Sequence, residues 1–354
     1  MSGRPKIFGH LLVDVIRKER CVACGTCVAV CPVKILRMES GIPKLVGQCI
    51  ACGMCYANCP RASFNVEEME KELFGRTRNE NEILLGVHKA IYAVKTLDPG
   101  IQEHCQDGGA VSAILAQFLS DGGDAVIVAG LEEAAIWEAK PVVAVMKKQI
   151  IENAGTKYTP SPTLIGVQAA YSEYHKRNIA VVGTPCQMRG LSLVCTGDYA
   201  NTKLDDSVKL RVGLFCMETF NHDSFIKYLQ DEGLEPDKLE KFEIKNGRFY
   251  AHQGGEIVLR VKLPKVKDLV RSCCHGCDDF ASEFTDLSVG NVGTPAGWST
   301  VIVRTEKGEK ALRSAENSGL VEIQSVKEGK TGLDIVYKLA KIKKENAVKH
   351  NSDD

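Results

Sequence analysis

The chain has no excess of charge of either sign: 45 Lys and Arg balance 45 Asp and Glu across 354 residues. Phosphate backbones are bound by accumulated basic charge, so nucleic acid is not expected as a main partner. Long hydrophobic runs are missing too. Stretches such as Ala125-Val-Ile-Val-Ala129 and Pro141-Val-Val-Ala-Val-Met146 fall far short of the roughly 18–20 residues a membrane helix needs. Met1 to Arg20 is broken by Arg4, Lys6, Asp14, Arg17 and Lys18, so no secretion signal is expected. The expected setting is the cytoplasm, or the periphery of a membrane complex. Proline is scarce (12 residues) and 44% of the chain is hydrophobic, which excludes a mostly disordered polymer. At roughly 150 residues per domain, the length suggests about two domains.

Cysteine is what the chain has in plenty. Fifteen occur, and in a reducing compartment disulfides rarely persist. Cys21-x2-Cys24-x2-Cys27-x3-Cys31-Pro32 is followed by Cys49-x2-Cys52-x2-Cys55-x3-Cys59-Pro60. That is the bacterial two-cluster ferredoxin run, twice over. A 4Fe–4S cube needs four thiolates; one tight loop supplies three, and the fourth of each run ligates the other cube. One cube therefore takes Cys21, Cys24, Cys27 and Cys59, and the other takes Cys49, Cys52, Cys55 and Cys31. Gly25 and Gly53 allow the dihedrals of such loops. Structural zinc is the competing reading, but it uses two separated C-x2-C pairs rather than a triple run ending in Cys-Pro.

Residues 66–82 are acidic and charged, and read as a linker or a solvated helix. Beyond them, apolar periodicity predicts helices over 111–119, 164–176 and 222–230. Buried strands are predicted over 124–129, 142–146, 178–183 and 208–215. Such alternation argues for an α/β domain with a largely parallel sheet. Lys241–Lys245, the Asn246-Gly247 turn and Arg248–His252 predict a hairpin. The segment from Leu333 starts as an amphipathic helix and ends polar and frayed. The fold class expected is α+β plus α/β: a ferredoxin-like domain (1–70), a linker (71–84), a larger α/β domain (85–345) and a polar tail (346–354). The α/β core is expected to bury itself without help from the ferredoxin. No G-x-G-x-x-G occurs, and Gly329-Lys330-Thr331 lacks the upstream glycine of a phosphate-binding loop.

Seven cysteines lie outside the ferredoxin runs. Cys186 and Cys216 follow predicted strands, so in a parallel sheet both thiols emerge at the carboxyl edge, where α/β folds place ligands. Cys186 also begins a helix, whose dipole favours a thiolate. With Cys274 and Cys277 they complete a third four-thiolate set. Structural zinc and isolated buried thiols fit this spacing as well, and Cys273 competes with Cys274. Cys105, Cys195 and Cys273 are otherwise spare.

Several segments then occur in order: Cys105-Gln-Asp-Gly-Gly109, Ala154-Gly-Thr-Lys-Tyr158 with Ser161-Pro162, Thr184-Pro-Cys-Gln187, Gly213-Leu-Phe-Cys-Met-Glu218, Cys274-x2-Cys277-Asp-Asp-Phe280 and Gly297-Trp-Ser-Thr300. Together they resemble the coenzyme F420 hydrogenase/dehydrogenase beta-subunit family over about residues 85–345. The resemblance implies an FAD, a third 4Fe–4S cluster on Cys186, Cys216, Cys274 and Cys277, and hydride exchange with the deazaflavin coenzyme F420. The N-terminal ferredoxin is absent from the small hydrogenase subunits. In layout the chain is more similar to the electron-input subunit of the reduced-F420 dehydrogenase.

A deazaflavin exchanges hydride while cubanes carry single electrons, and a flavin converts between the two. The expected activity is therefore an F420-dependent oxidoreductase passing electrons to or from ferredoxin or a larger dehydrogenase, hydrogenase or heterodisulfide-reductase type complex. For FAD the resemblance points to Gln106, Asp107, Gly108 and Gly109, a turn opening a helix whose amides suit a pyrophosphate. Lys157, Ser161, Thr184, Ser299 and Thr300 are further polar candidates. Trp298 is placed near the flavin or in a core, and no acid–base triad is assigned. A bare electron-relay subunit, and a reductase of the same fold for another substrate, are the alternatives.

Overall fold

The computed structural model describes residues 4–326 and 332–352; the Gly329-Lys330-Thr331 segment lies outside them. The two cysteine runs fold as near copies. Each triple passes through a left-handed alanine, Ala23 (φ 55°) or Ala51 (φ 57°), and a left-handed glycine, Gly25 (φ 81°) or Gly53 (φ 82°). A single helical turn follows each, Thr26–Ala29 and Met54–Ala57. Between them lies the antiparallel hairpin of β1 (Leu36–Glu39) and β2 (Ile42–Leu45).

The charged stretch after the ferredoxin contains the expected helix, solvated on one face and buried on the other. Asn65 caps a helix over Val66–Phe74 by accepting from the Glu67 and Glu68 amides, and left-handed Gly75 ends it. Met69 from this helix packs with Leu193 and Phe284. Buried Glu70 and Glu283 share Arg78 at 2.5 and 2.7 Å, while Glu67, Glu68, Lys71 and Glu72 stay exposed.

The main sheet has eight strands: β3 (Ala90–Thr96), β4 (Ala125–Leu131), β5 (Ala139–Ala144), β6 (Ile179–Gly183), β7 (Val208–Leu214), then β11 (Leu287–Gly290), β12 (Ser299–Val303) and β13 (Val321–Ser325), in the order β13-β3-β12-β11-β7-β6-β4-β5. Strands β4, β6, β7 and β11 run parallel, while the other pairings are antiparallel. The largely parallel sheet expected from sequence is thus mixed. The cause is connection length: residues 132–138 and 291–298 are too short for the dozen or so residues a crossover needs. The strand expected at 142–146 also lies earlier, because Val145 and Met146 are exposed.

Helices Ala110–Ser120, Thr163–Ser172, Pro185–Thr196 and His222–Asp231 fall close to expectation. The hairpin is observed as β8 (Lys241–Lys245) and β9 (Arg248–Gln253), with Asn246 and Gly247 both left-handed at its turn. A third strand, β10 (Glu256–Lys262), extends it. Phe220, Phe225, Phe242 and Phe249 fill the core beneath this small sheet. The last segment is one helix over Leu333–Ser352 rather than a helix and a frayed tail, and Ala347 within it is buried. No helix among the described residues is long and apolar enough to cross a membrane.

The ferredoxin segment does not stand apart. Val22 and Cys24 belong to the same apolar cluster as Leu164, Val181, Leu191 and Val208. The expectation of a core that closes without the ferredoxin is corrected by this shared interior.

Candidate functional site

Cys21, Cys24, Cys27 and Cys59 line one hollow of the ferredoxin segment, beside Met38, Pro43 and Pro60. Cys31, Cys49, Cys52 and Cys55 line another, beside Phe8, Leu36 and Ile50. Each hollow takes three thiols from one run and the fourth from the other. Burial pushes Cys24 and Cys59 up to about 12 and Cys55 up to about 11, with neighbouring thiols adding to the effect. Bare thiols so placed stay protonated at neutral pH; a positive iron core is what makes such a donor set favourable. The chemistry of both hollows therefore fits a cube.

The third set forms at the carboxyl edge of β6 and β7, which are parallel as expected. Cys186 sits in the first turn of the helix after β6, where Thr184 and Gln187 form a reciprocal cap. Cys216 lies two residues past β7. Cys274 and Cys277 come from the loop before β11. All four thiols stand within electrostatic reach of one another. Burial above all, then the other thiols, pushes Cys186 up to about 12. The Thr219 amide donates to Cys274 Sγ at 3.4 Å. Cys273 is buried in the apolar cluster behind the site, against which Cys186 and Cys274 also pack. Among the described residues, no three His, Cys, Asp or Glu side chains converge as ligands to a single ion.

Sequence reasoning missed Lys343. It lies on the last helix, 4% exposed, and its Nζ donates to the Cys216 carbonyl at 2.9 Å and to the Met217 carbonyl. The signal was present: Leu333, Val336, Ala340, Lys343 and Ala347 are the buried stripe of that helix, and one member is a lysine.

The three thiol groups are contiguous. Cys186 of the third set is in electrostatic reach of Cys24, and Cys27 is in reach of Cys55 in the outer hollow. Arg271 donates to the Cys21 carbonyl at 2.9 Å, and Arg61 donates to the Gly276 carbonyl at 2.9 Å. Leu164 N–H donates to the Cys24 carbonyl at 3.1 Å. These bonds tie the inner ferredoxin loop to the third set, while Cys49 of the outer hollow is exposed.

The residues carried over for FAD fall into two groups. In the first, a Cβ on Gly108 would stand 2.3 Å from Ser299 N and 2.6 Å from Trp298 C, so this turn lies flush against the Gly297–Thr300 segment. Asp107 accepts from Gly297 N–H, and Gln106 accepts from Thr156 N–H at 3.2 Å. Left-handed Gly109 opens the helix Ala110–Ser120, whose first amides receive no side-chain cap. An uncapped helix start is the environment a pyrophosphate requires. In the second group, Gln187 joins Ser161 and Thr184 beside Cys186, and the buried Ser161 hydroxyl has no partner. Lys157 donates to the carbonyls of Asn153, Ala154 and Gly155, and burial lowers it to about 8. Thr300 is likewise committed, to the Val292 carbonyl. Trp298 lies under the Lys95 ammonium, 4.6 Å from its ring centre.

Residues 91–166 and 176–329 match the N- and C-terminal models of the coenzyme F420 hydrogenase/dehydrogenase beta subunit, and residues 13–60 match a 4Fe–4S dicluster domain. The chain belongs to that beta-subunit family. It is 34% identical to the coenzyme F420 hydrogenase beta subunit of Methanothermobacter thermautotrophicus, over 76% of this chain and 95% of that one. It is 30% identical to a subunit of the F420H2 dehydrogenase of Methanosarcina mazei, over 96% of this chain and 93% of that one. Among solved structures it is similar to a chain of the xenon-derivatised F420-reducing NiFe hydrogenase complex of Methanosarcina barkeri. That match has a TM-score of 0.71 at 32% identity and covers 75% of this chain and 92% of the other. Membership carries an oxidoreductase role, with electron transfer through the iron–sulfur domain.

Proposed function

We propose that the chain is an iron–sulfur flavoprotein that exchanges hydride between coenzyme F420 and FAD. Single electrons then pass through three 4Fe–4S clusters, to or from ferredoxin or a partner redox complex. The observation that carries this is the unbroken succession of three four-thiol groups from the α/β sheet edge to the exposed Cys49. When bound, the flavin would supply the conversion between paired and single electrons. The residues that would hold it are the Gln106–Gly109 turn with the helix amides behind it, and Ser299 beside them. Ser161 and Thr184 lie on the side of the third thiol set, the side to which electrons must go. Lys157 acts by closing the 153–157 turn rather than by meeting a phosphate directly. The hydrogenase and dehydrogenase relatives named above are subunits of larger assemblies, and this chain is assigned the same place, as the member that meets F420.

The test is anaerobic addition of reduced F420 to the purified chain. Bleaching of a bound flavin, followed by reduction of the clusters, is expected. Cluster reduction that needs a partner protein and leaves no flavin signal would favour a bare electron relay instead.

A further inference from the structure

Lys343 is unusual among the lysines of this chain. Its neighbour Lys344 pairs with Glu283 at 2.6 Å. Lys343 is buried with two backbone carbonyls, of Cys216 and Met217, as acceptors. The thiols of Cys277, Cys216, Cys274 and Cys186 lie within its electrostatic reach and would become the negative groups beside it once they ligate an iron core. Glu218, half-buried, also feels its charge. Buried ammonium groups without a carboxylate partner are normally expelled or neutralised. One that stays charged needs a persistent negative group, and four thiolates on an iron core are such a group.

We propose that Lys343 is a positioning residue of the third thiol set: a fixed buried cation that orients the Cys216–Met217 turn and favours the electron-loaded state of the cluster held there. The inference rests on the three-cluster reading. Reduction adds one electron, and so one negative charge, to that cluster without moving a proton. A fixed cation next to the cluster stabilises the reduced form more than the oxidised one, and cluster potentials respond to local charge and hydrogen bonding. The inner site would thereby draw single electrons away from the flavin. The same lysine, by holding the Cys216 carbonyl, fixes the ligand that arrives from β7.

The experiment uses the full chain, prepared anaerobically, with Lys343→Arg, Lys343→Gln and Lys343→Met. Iron is counted and the midpoint potential of each cluster is followed by EPR-monitored titration. The wild type should hold about 12 irons. Gln keeps a donor for the carbonyls and loses the charge, so the potential of one cluster should fall while the other two stay put; Met should do the same or more. Arg should restore the wild-type potential. Loss of about four irons in both neutral variants, with retention in Arg, would show the same dependence on charge during assembly. An unmoved potential in Gln with full iron content, or equal iron loss in Arg, overturns the role of Lys343. A wild-type count of about eight irons removes the third cluster itself, which is a separate failure.

Discussion

Gly190→Ala is expected to pry the inner ferredoxin loop from the sheet domain. Gly190 lies inside the helix Pro185–Thr196, and a Cβ there would stand 2.4 Å from Thr26 Oγ1 and 3.7 Å from Pro60 Cγ. Thr26 is fully buried and its hydroxyl is 3.1 Å from Cys24 Sγ, so it has nowhere to retreat. Alanine gains about 1 kcal/mol of helix propensity. Overpacking a closed seam costs about 1–3 kcal/mol. The net is a loss of up to about 2 kcal/mol, or a Tm up to about 3 °C lower by calorimetry for a chain of this size. The widened seam should slow electron arrival at the ferredoxin clusters in stopped-flow, while flavin bleaching by reduced F420 persists. Adding Thr26→Ala removes the clashing oxygen and should recover most of both losses, giving a coupling of about 1 kcal/mol or more. An unchanged or raised Tm in Gly190→Ala, with no coupling to Thr26→Ala, would refute the seam.

Two other perturbations follow from the same geometry. Cys59→Ser should convert or empty the cluster held with Cys21, Cys24 and Cys27, leaving the one nearest in sequence intact; EPR showing loss at Cys49, Cys52 and Cys55 instead would overturn the crossed ligand sets. Gly108→Ala meets backbone on two sides, at the Trp298–Ser299 peptide and at Val94 O (2.7 Å), so it should cost about 3 kcal/mol and release the proposed flavin; a stable, fully yellow variant would disprove the close approach.

The most legible features were those written in local spacing. The two cysteine runs, the Asn246-Gly247 turn and the strands over 179–183 and 208–214 each rest on residues within a few positions of one another. What escaped was set by contacts distant in sequence. The mixed sheet depends on where β12 and β3 insert, which periodicity does not report. The 66–82 stretch looked solvated because its acids had no visible partners; Arg78, Glu70 and Glu283 meet only after folding. The C-terminal helix was expected from Leu333, but Lys343 in its buried stripe, which bonds the Cys216 and Met217 carbonyls, was not singled out.

Under the proposed function, the chain order of the domains differs from the order in which electrons would pass. The N-terminal runs come first in sequence, yet the inner hollow, with Cys24 beside Cys186, lies between the sheet domain and the outer hollow. Crossed ligation makes this possible. Cys59, from the second run, lines the inner hollow with Cys21, Cys24 and Cys27, so each hollow is built from both runs. Arg271 and Arg61 then bond reciprocally across the seam, each to a carbonyl in the other's loop region. A flexible tether between ferredoxin and sheet would let the inner distance vary, and single-electron transfer weakens steeply with distance. The buried seam, including Gly25 set 2.9 Å (at its would-be Cβ) from the Pro162 carbonyl, fixes that distance instead. The shared interior of Val22, Cys24, Leu164 and Leu191 is the packing that holds the ferredoxin segment against the sheet domain.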